Sequence, residues 1–168
     1  KVGAVGFCLG GKLAYLAAAH SGVDCAVGYY GGGIDASLAD AAKIKGPLVL
    51  HFAGADKFVP PEAVEKIKAA FAGRNDVEIY VYPGADHAFN NPGRASFDKP
   101  AALMAHSRTI ALFRKAMGPH YDLSALWDKH CEYEFGLRDV PKTMSTMVAE
   151  PYENHIPTMT GGVGFKHI

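Results

Sequence analysis

The chain has 168 residues, 49% of them apolar and 20% charged, an ordinary composition for a folded domain with a sizeable core. Lysine plus arginine number 17 and aspartate plus glutamate 17, so no net field selects nucleic acid as a partner. The apolar runs are strand-length, far short of the roughly 18 residues that mark a membrane span.

Three cysteines, Cys8, Cys25 and Cys131, lie far apart with no CxxC pair. An odd, scattered set argues against a disulfide framework and for a reduced, cytoplasmic setting. No signal peptide is expected, because the chain opens on a strand pattern at Lys1. That opening, and an end inside what reads as a continuing element, mark the expectation of a fragment of a longer protein.

In chain order, residues 2–7 form a short apolar run. Gly10-Gly11 follow as a tight turn, and residues 12–20, rich in Ala and Leu, read as a helix. Residues 25–30 read as a second strand closed by Gly31-Gly32-Gly33, and residues 47–53 as a third followed by Gly54. Val64, Ile67, Ala70 and Phe71 recur at helical spacing within residues 61–72, with Glu62 and Glu65 placed to suit the helix dipole. Residues 77–82 form a fourth strand ended by Pro83-Gly84, and residues 99–117 a longer helix. Continuously apolar strands alternating with helices predict an α/β fold, with a mainly parallel sheet covered on both faces.

The texture changes near Gly118-Pro119, which sets the expected domains at 1–118 and 119–168. In the second, residues 124–138 read as a helix with Ser124 as its cap. Residues 140–149 read as another, capped by Asp139 with Pro141 in its first turn, and residues 151–160 read as extended.

Gly6-Phe7-Cys8-Leu9-Gly10 has the G-x-Nuc-x-G form of a nucleophile elbow, between a strand and a helix, where that motif must sit. The strained turn would hold the Cys8 side chain clear of the sheet. The Leu9 amide would face a developing oxyanion, and the helix start would favour a thiolate. Asp56 follows the third strand and His87 the fourth, in the order nucleophile, acid, base. His87 would deprotonate Cys8, and Asp56 would hold the imidazole tautomer. A Cys8 sulfur within roughly 4 Å of a His87 nitrogen is the expected geometry. Asp86 adjoins His87, but the acid of this arrangement follows the preceding strand, which favours Asp56. His51, inside a strand, is expected to be packed or hydrogen-bonded, and Cys25 and Cys131 to be structural. Tyr29 and Tyr30 belong either to the mouth of the site or to the core. His20, His106, His120 and His130 lack metal-ligand spacing, and His155 is expected on a strand.

Gly6-Phe7-Cys8-Leu9-Gly10-Gly11, Tyr29-Tyr30-Gly31, His51-Phe52-Ala53-Gly54-Ala55-Asp56 with Val59-Pro60, and Tyr82-Pro83-Gly84-Ala85-Asp86-His87-Ala88-Phe89 together resemble the dienelactone hydrolase (carboxymethylenebutenolidase) family. The resemblance spans about residues 1–117. It implies a truncated α/β-hydrolase fold acting on a small-molecule ester or enol-lactone through a thioester acyl-enzyme, with no metal or organic cofactor. It also implies that Arg94 binds a substrate carboxylate beside Tyr30. The family's first strands, a second oxyanion amide and a Glu beside the Cys would precede Lys1.

Trp127, residues 135–139, residues 144–150 and Pro151-Tyr152-Glu153-Asn154-His155 resemble the opening of a SnoaL-like, nuclear transport factor 2-like α+β cone domain. Domains of that kind serve as enzymes, ligand pockets or dimerisation units, so the likeness leaves the role open, with a homo-oligomer contact among the expectations. Three other readings compete. The first, a dinucleotide loop at Gly3, Gly6, Gly10 and Gly11, lacks the G-x-G-x-x-G spacing and an acidic residue ending the next strand. The second is a different ester, thioester or peptide hydrolase on the same fold. The third is a hydrolase-like scaffold, inactive as this fragment, that binds or assembles through its C-terminal segment.

Overall fold

A computed structural model describes residues 1–155 and 160–164, with the backbone alone for residues 152–155. The chain divides into two compact units, Lys1–His120 and Tyr121–Ile168. Among the described residues no helix is long and apolar enough to cross a membrane.

The first unit is built on a four-stranded parallel sheet in the order β1-β2-β3-β4. The strands are β1 (Gly3–Phe7), β2 (Cys25–Tyr29), β3 (Leu48–Ala53) and β4 (Val77–Tyr82). Between them run α1 (Leu9–His20), a 3-10 segment (Asp35–Lys43) and α2 (Pro61–Ala70), and α3 (Lys99–Met117) follows β4. Every residue of β2 and β3 is buried, because helices cover both faces of the sheet. Alternation then assigns the faces. Leu48, Leu50 and Phe52 join Tyr15, Ile67 and Phe71 in one core, whereas Val49 and Ala53 join Tyr29, Phe89 and Ala105 in the other. Residues of α1 and α2 thus fill the first layer and those of α3 the second.

Two expectations are corrected here. Gly10 and Gly11 are the first turn of α1 rather than a turn before it. The reason is packing: a Cβ on Gly11 would lie 2.5 Å from the Tyr29 carbonyl oxygen, so glycine lets the helix start directly on the sheet. The second strand ends at Tyr29, because Tyr30 turns to φ 37, outside the strand region.

In the second unit, α4 spans Leu123–Cys131 and is continued by a wider π-type turn, Glu132–Leu137, that ends at Arg138 with φ 52. Its cap is Asp122, which accepts from the Ala125 N–H at 2.9 Å, and not Ser124. Asp139 does cap α5, accepting from the Lys142 N–H at 3.1 Å. That helix is Val140–Ser145, shorter than expected. The hydroxyls of Ser145 and Thr146 bond back to the carbonyls of Lys142 and Thr143 at 2.6 Å each, a local alternative to further helix. Strands β5 (Tyr152–His155) and β6 (Thr160–Val163) pair antiparallel. The His155 side chain and residues 156–159 of the expected extended run lie outside the described residues.

His51 on β3 is fully buried and hydrogen-bonded through both ring nitrogens, to Tyr82 Oη at 3.0 Å and Thr109 Oγ1 at 3.2 Å. Burial, helped by the nearby Arg108 guanidinium, pushes its pKa from 6.5 down to about 3. Tyr29 from β2, Tyr80 and Tyr82 from β4 and Arg108 from α3 surround it. A histidine held neutral in the fold takes its proton on unfolding. The unfolded state is therefore favoured increasingly as pH falls below 6.5, until about pH 3. Stability is expected to fall by on the order of a few kcal/mol across that acid window. In His51→Gln, which has no proton to take up, the slope of denaturant midpoint against pH between about 6 and 4 should flatten; an unchanged slope would refute the assignment.

Candidate active site

The sequence-selected residues stand at the carboxyl ends of parallel strands, where open α/β sheets present ligands. Cys8 sits between β1 and α1 with φ 56 and ψ −121, a backbone region costly for any residue but glycine. Its N–H donates to the Tyr29 carbonyl at 3.0 Å and its C=O accepts from the Gly11 N–H at 2.9 Å, so the turn is fastened on both sides. The side chain is exposed. Leu9 opens α1, and its N–H is therefore one of the first-turn donors that no helical carbonyl can satisfy.

The turn depends on a close approach of backbones. A Cβ on Gly6 would lie 1.8 Å from the Gly10 carbonyl oxygen. Gly10 itself has nothing within 4 Å of the equivalent position.

Asp56 lies just past β3, with its carboxylate shielded from solvent. One oxygen accepts from the Phe58 N–H at 2.8 Å and the other from His87 Nδ1 at 2.8 Å. Among the described residues, Nε2 of His87 has no hydrogen-bond partner. The loop after β4 is held by the Ser96 hydroxyl, which donates to the His87 carbonyl at 2.7 Å, and by the His87 N–H, which donates to Asp86 at 2.7 Å. The imidazole lies between two rings, Tyr30 at 4.8 Å and Phe58 at 5.0 Å. Asp86 thus serves the backbone of this loop, while Asp56 meets the ring.

Cys8, His87, Tyr30 and Arg94 line one cleft of about 550 Å³, together with Phe58 and Lys57. The Tyr30 hydroxyl donates to Asn90 Oδ1. Burial, with the Cys8 and Tyr29 groups nearby, pushes its pKa up to about 12, so it remains a neutral donor at ordinary pH. Tyr29 faces the adjoining apolar groove and bonds to Thr109 at 2.7 Å. No hydrogen bond joins the Cys8 thiol to His87 among the described residues. Nor does any group of three or more His, Cys, Asp or Glu among them form a metal-binding cluster.

Sequence reasoning did not find Phe58, Lys57 or Ser96. They are loop residues with no periodicity, and only their offsets from Asp56 and His87 hint at a place in the cleft.

A parallel sheet with helices on both faces, a strained Cys at a strand-to-helix turn and a His bonded to a buried Asp define an α/β-hydrolase-type domain. Residues 1–117 match the dienelactone hydrolase family, and the chain belongs to it. It is 47% identical over 110 residues to a putative carboxymethylenebutenolidase of Azospirillum brasilense, covering 66% of this chain and 48% of that protein. It is 38% identical to the carboxymethylenebutenolidase of Pseudomonas putida, covering 66% of this chain and 47% of that one. The crystal structure of a putative dienelactone hydrolase from Klebsiella pneumoniae superposes with a TM-score of 0.60 at 32% identity, covering 66% of this chain and 50% of that one. The chain thus spans about half the length of the curated relatives it matches.

The two glycines of the elbow should respond oppositely to a methyl group. Gly6→Ala is expected to lose more than about 3 kcal/mol in denaturant unfolding, through overpacking against backbone. Gly10→Ala should stay within about 1 kcal/mol of the parent, or gain, as an exposed-space Gly→Ala change in a helix does.

Proposed function

We propose that the site hydrolyses a small carboxylic ester or enol-lactone through a covalent thioester on Cys8. One observation carries the reading: the 2.8 Å bond from His87 Nδ1 to the buried Asp56 carboxylate, formed on the same cleft as Cys8. The bond makes Nδ1 the protonated nitrogen and Nε2 the base. His87 takes the thiol proton, and the Cys8 sulfur attacks the carbonyl carbon. The resulting oxyanion is met by the Leu9 N–H. Collapse breaks the C–O bond to the leaving alkoxide or enolate, which receives the proton from His87. Water, deprotonated by the same nitrogen, attacks the thioester and releases the acid and the free thiol. Closure of Cys8 onto His87 belongs to the substrate-bound state, as loose apo geometry at such sites allows.

Arg94 is the proposed partner of a substrate carboxylate, and Tyr30, neutral and oriented by Asn90, forms the wall against which the acyl group lies. Neither metal nor organic cofactor enters these steps. Three free thiols support a reducing, cytoplasmic setting.

For Tyr121–Ile168 we propose the opening of a SnoaL-like cone domain that serves assembly. The order of helices before a β-hairpin supports the first part, and the exposed Leu123 and Trp127, one helical turn apart, support the second. Sedimentation should show a dimer that Trp127→Glu dissociates; a monomer at every concentration would remove the assembly role.

With dienelactone and an aryl ester as substrates, Cys8→Ala should lose at least about 10³-fold in kcat, and the acyl adduct seen by mass spectrometry in the parent should vanish. Asp56→Asn should retain the adduct site but lose roughly 10²–10⁴-fold, through the wrong imidazole tautomer. Parent-like turnover in Cys8→Ala would end the covalent reading. Turnover of the aryl ester alone would keep the mechanism and discard the lactone.

A further inference from the structure

A rank of rings crosses the sheet below the site. Phe7, Tyr29, His51 and Tyr80 are register partners on β1, β2, β3 and β4. Neighbouring ring centroids lie 4.8, 4.6 and 5.8 Å apart along it. Cys8 follows the first of these residues directly and Tyr30 the second. His51 is tied into a chain of side-chain hydrogen bonds that also includes α3.

Donor and acceptor inventory orients that chain. The Arg108 guanidinium can only donate, and it donates to Tyr82 Oη at 3.1 Å while lying 3.8 Å over the Tyr80 ring. Tyr82 is buried. Its single proton has His51 Nδ1, at 3.0 Å, as its partner. If His51 donated there instead, the Tyr82 proton would be stranded in the core, which is costly. Nδ1 is therefore the acceptor, and in a neutral imidazole Nε2 carries the hydrogen. It donates to Thr109 Oγ1 at 3.2 Å, and Thr109 Oγ1 is hydrogen-bonded in turn to Tyr29 Oη at 2.7 Å.

We propose that His51, fixed as the Nε2–H tautomer, is a positioning residue. The hydrogen-bonded chain Arg108–Tyr82–His51–Thr109–Tyr29 clamps together the strand ends that carry Tyr30, Asp56 and His87. This rests on the reading of His87 and Asp56 as base and orienting acid. The mechanical links are short. The His51 carbonyl accepts from the Tyr30 N–H at 2.6 Å. Tyr82 is the last residue of β4 before the His87 loop, and its ring meets Phe89 of that loop at 5.0 Å. Phe89 in turn meets Tyr30 at 5.6 Å, and Tyr30 flanks the His87 imidazole. The neutral state that burial and Arg108 impose on His51 keeps Nδ1 an acceptor at ordinary pH. Among the described residues, Tyr29, Tyr80, Tyr82 and Arg108 are the titratable groups that face it, and none of them is a carboxylate.

The test is nitrogen-15 NMR of the full chain, with turnover measured in parallel. His51 should show an unprotonated Nδ1 and a protonated Nε2 from about pH 8 to 5. The opposite tautomer, or an imidazolium in that range, overturns the proposal. The positioning readout is exchange with water of the His87 Nδ1 proton bound to Asp56. It should quicken roughly tenfold in His51→Leu and return to within about threefold of the parent in His51→Gln, which keeps one acceptor and one donor. Thr109→Val removes only the last acceptor and should move exchange the same way by a smaller factor, which decides the matter if His51→Leu does not fold. Unchanged exchange in a folded His51→Leu, or in Thr109→Val where His51→Leu does not fold, overturns the proposal. In His51→Leu, kcat should fall with KM little changed. A parent chain that shows the tautomer and the exchange pattern but hydrolyses no ester overturns the functional reading and leaves the clamp standing.

Discussion

A Cβ at position 6 would stand 1.8 Å from the Gly10 carbonyl oxygen, and the geometry of the site depends on that missing atom. Only with glycine there can the chain leave β1, turn through Cys8 at positive φ and enter α1 without a connecting loop. The same compaction continues at Gly11, where α1 rests on the Tyr29 carbonyl. Cys8 is consequently held by backbone bonds to β2 and α1 on either side of its Cα. The backbone strain at this position is balanced by close packing rather than by contacts of the sulfur itself.

Around this turn the three groups differ in exposure, and the difference suits their proposed chemistry. The Asp56 carboxylate is shielded and bonded through both oxygens, so it has no freedom to approach the reacting atoms. His87 is partly exposed, flanked by Tyr30 and Phe58, and lines the cleft. Cys8 is exposed. Cations at Lys57 and Arg94 border the same space, which suits the anionic substrate proposed for the site.

Much of the first unit was legible because its signals are local and redundant. The bounds of β4 and α3 follow directly from apolar runs and from turn residues such as Pro83-Gly84. The order Cys8, Asp56, His87 stood out because each follows its own strand. Legibility failed where two local signals compete. Asp122 and Ser124 are both good caps, and only packing of the first turn selects Asp122. Residues 140–149 have helical spacing throughout, yet Ser145 and Thr146 spend their hydroxyls on backbone carbonyls, and His130 Nδ1 lies 2.6 Å from Thr146 Oγ1. The wide turn at Glu132–Leu137 has no periodic signature at all.

By itself the sequence determined the alternation of strands and helices, the elbow at Cys8 and the identity of the acid and base candidates, because period, turn chemistry and order are properties of the chain. Tertiary structure alone decided that His51 is neutral and joined to Tyr82 and Thr109, residues 31 and 58 positions away along the chain. It also decided that Phe58 and Tyr30 flank one imidazole and that Arg94 shares the cleft of Cys8. These facts depend on which strands become neighbours and in what register. Register across a parallel sheet is set by burial on both faces at once, a condition that no local window of residues contains.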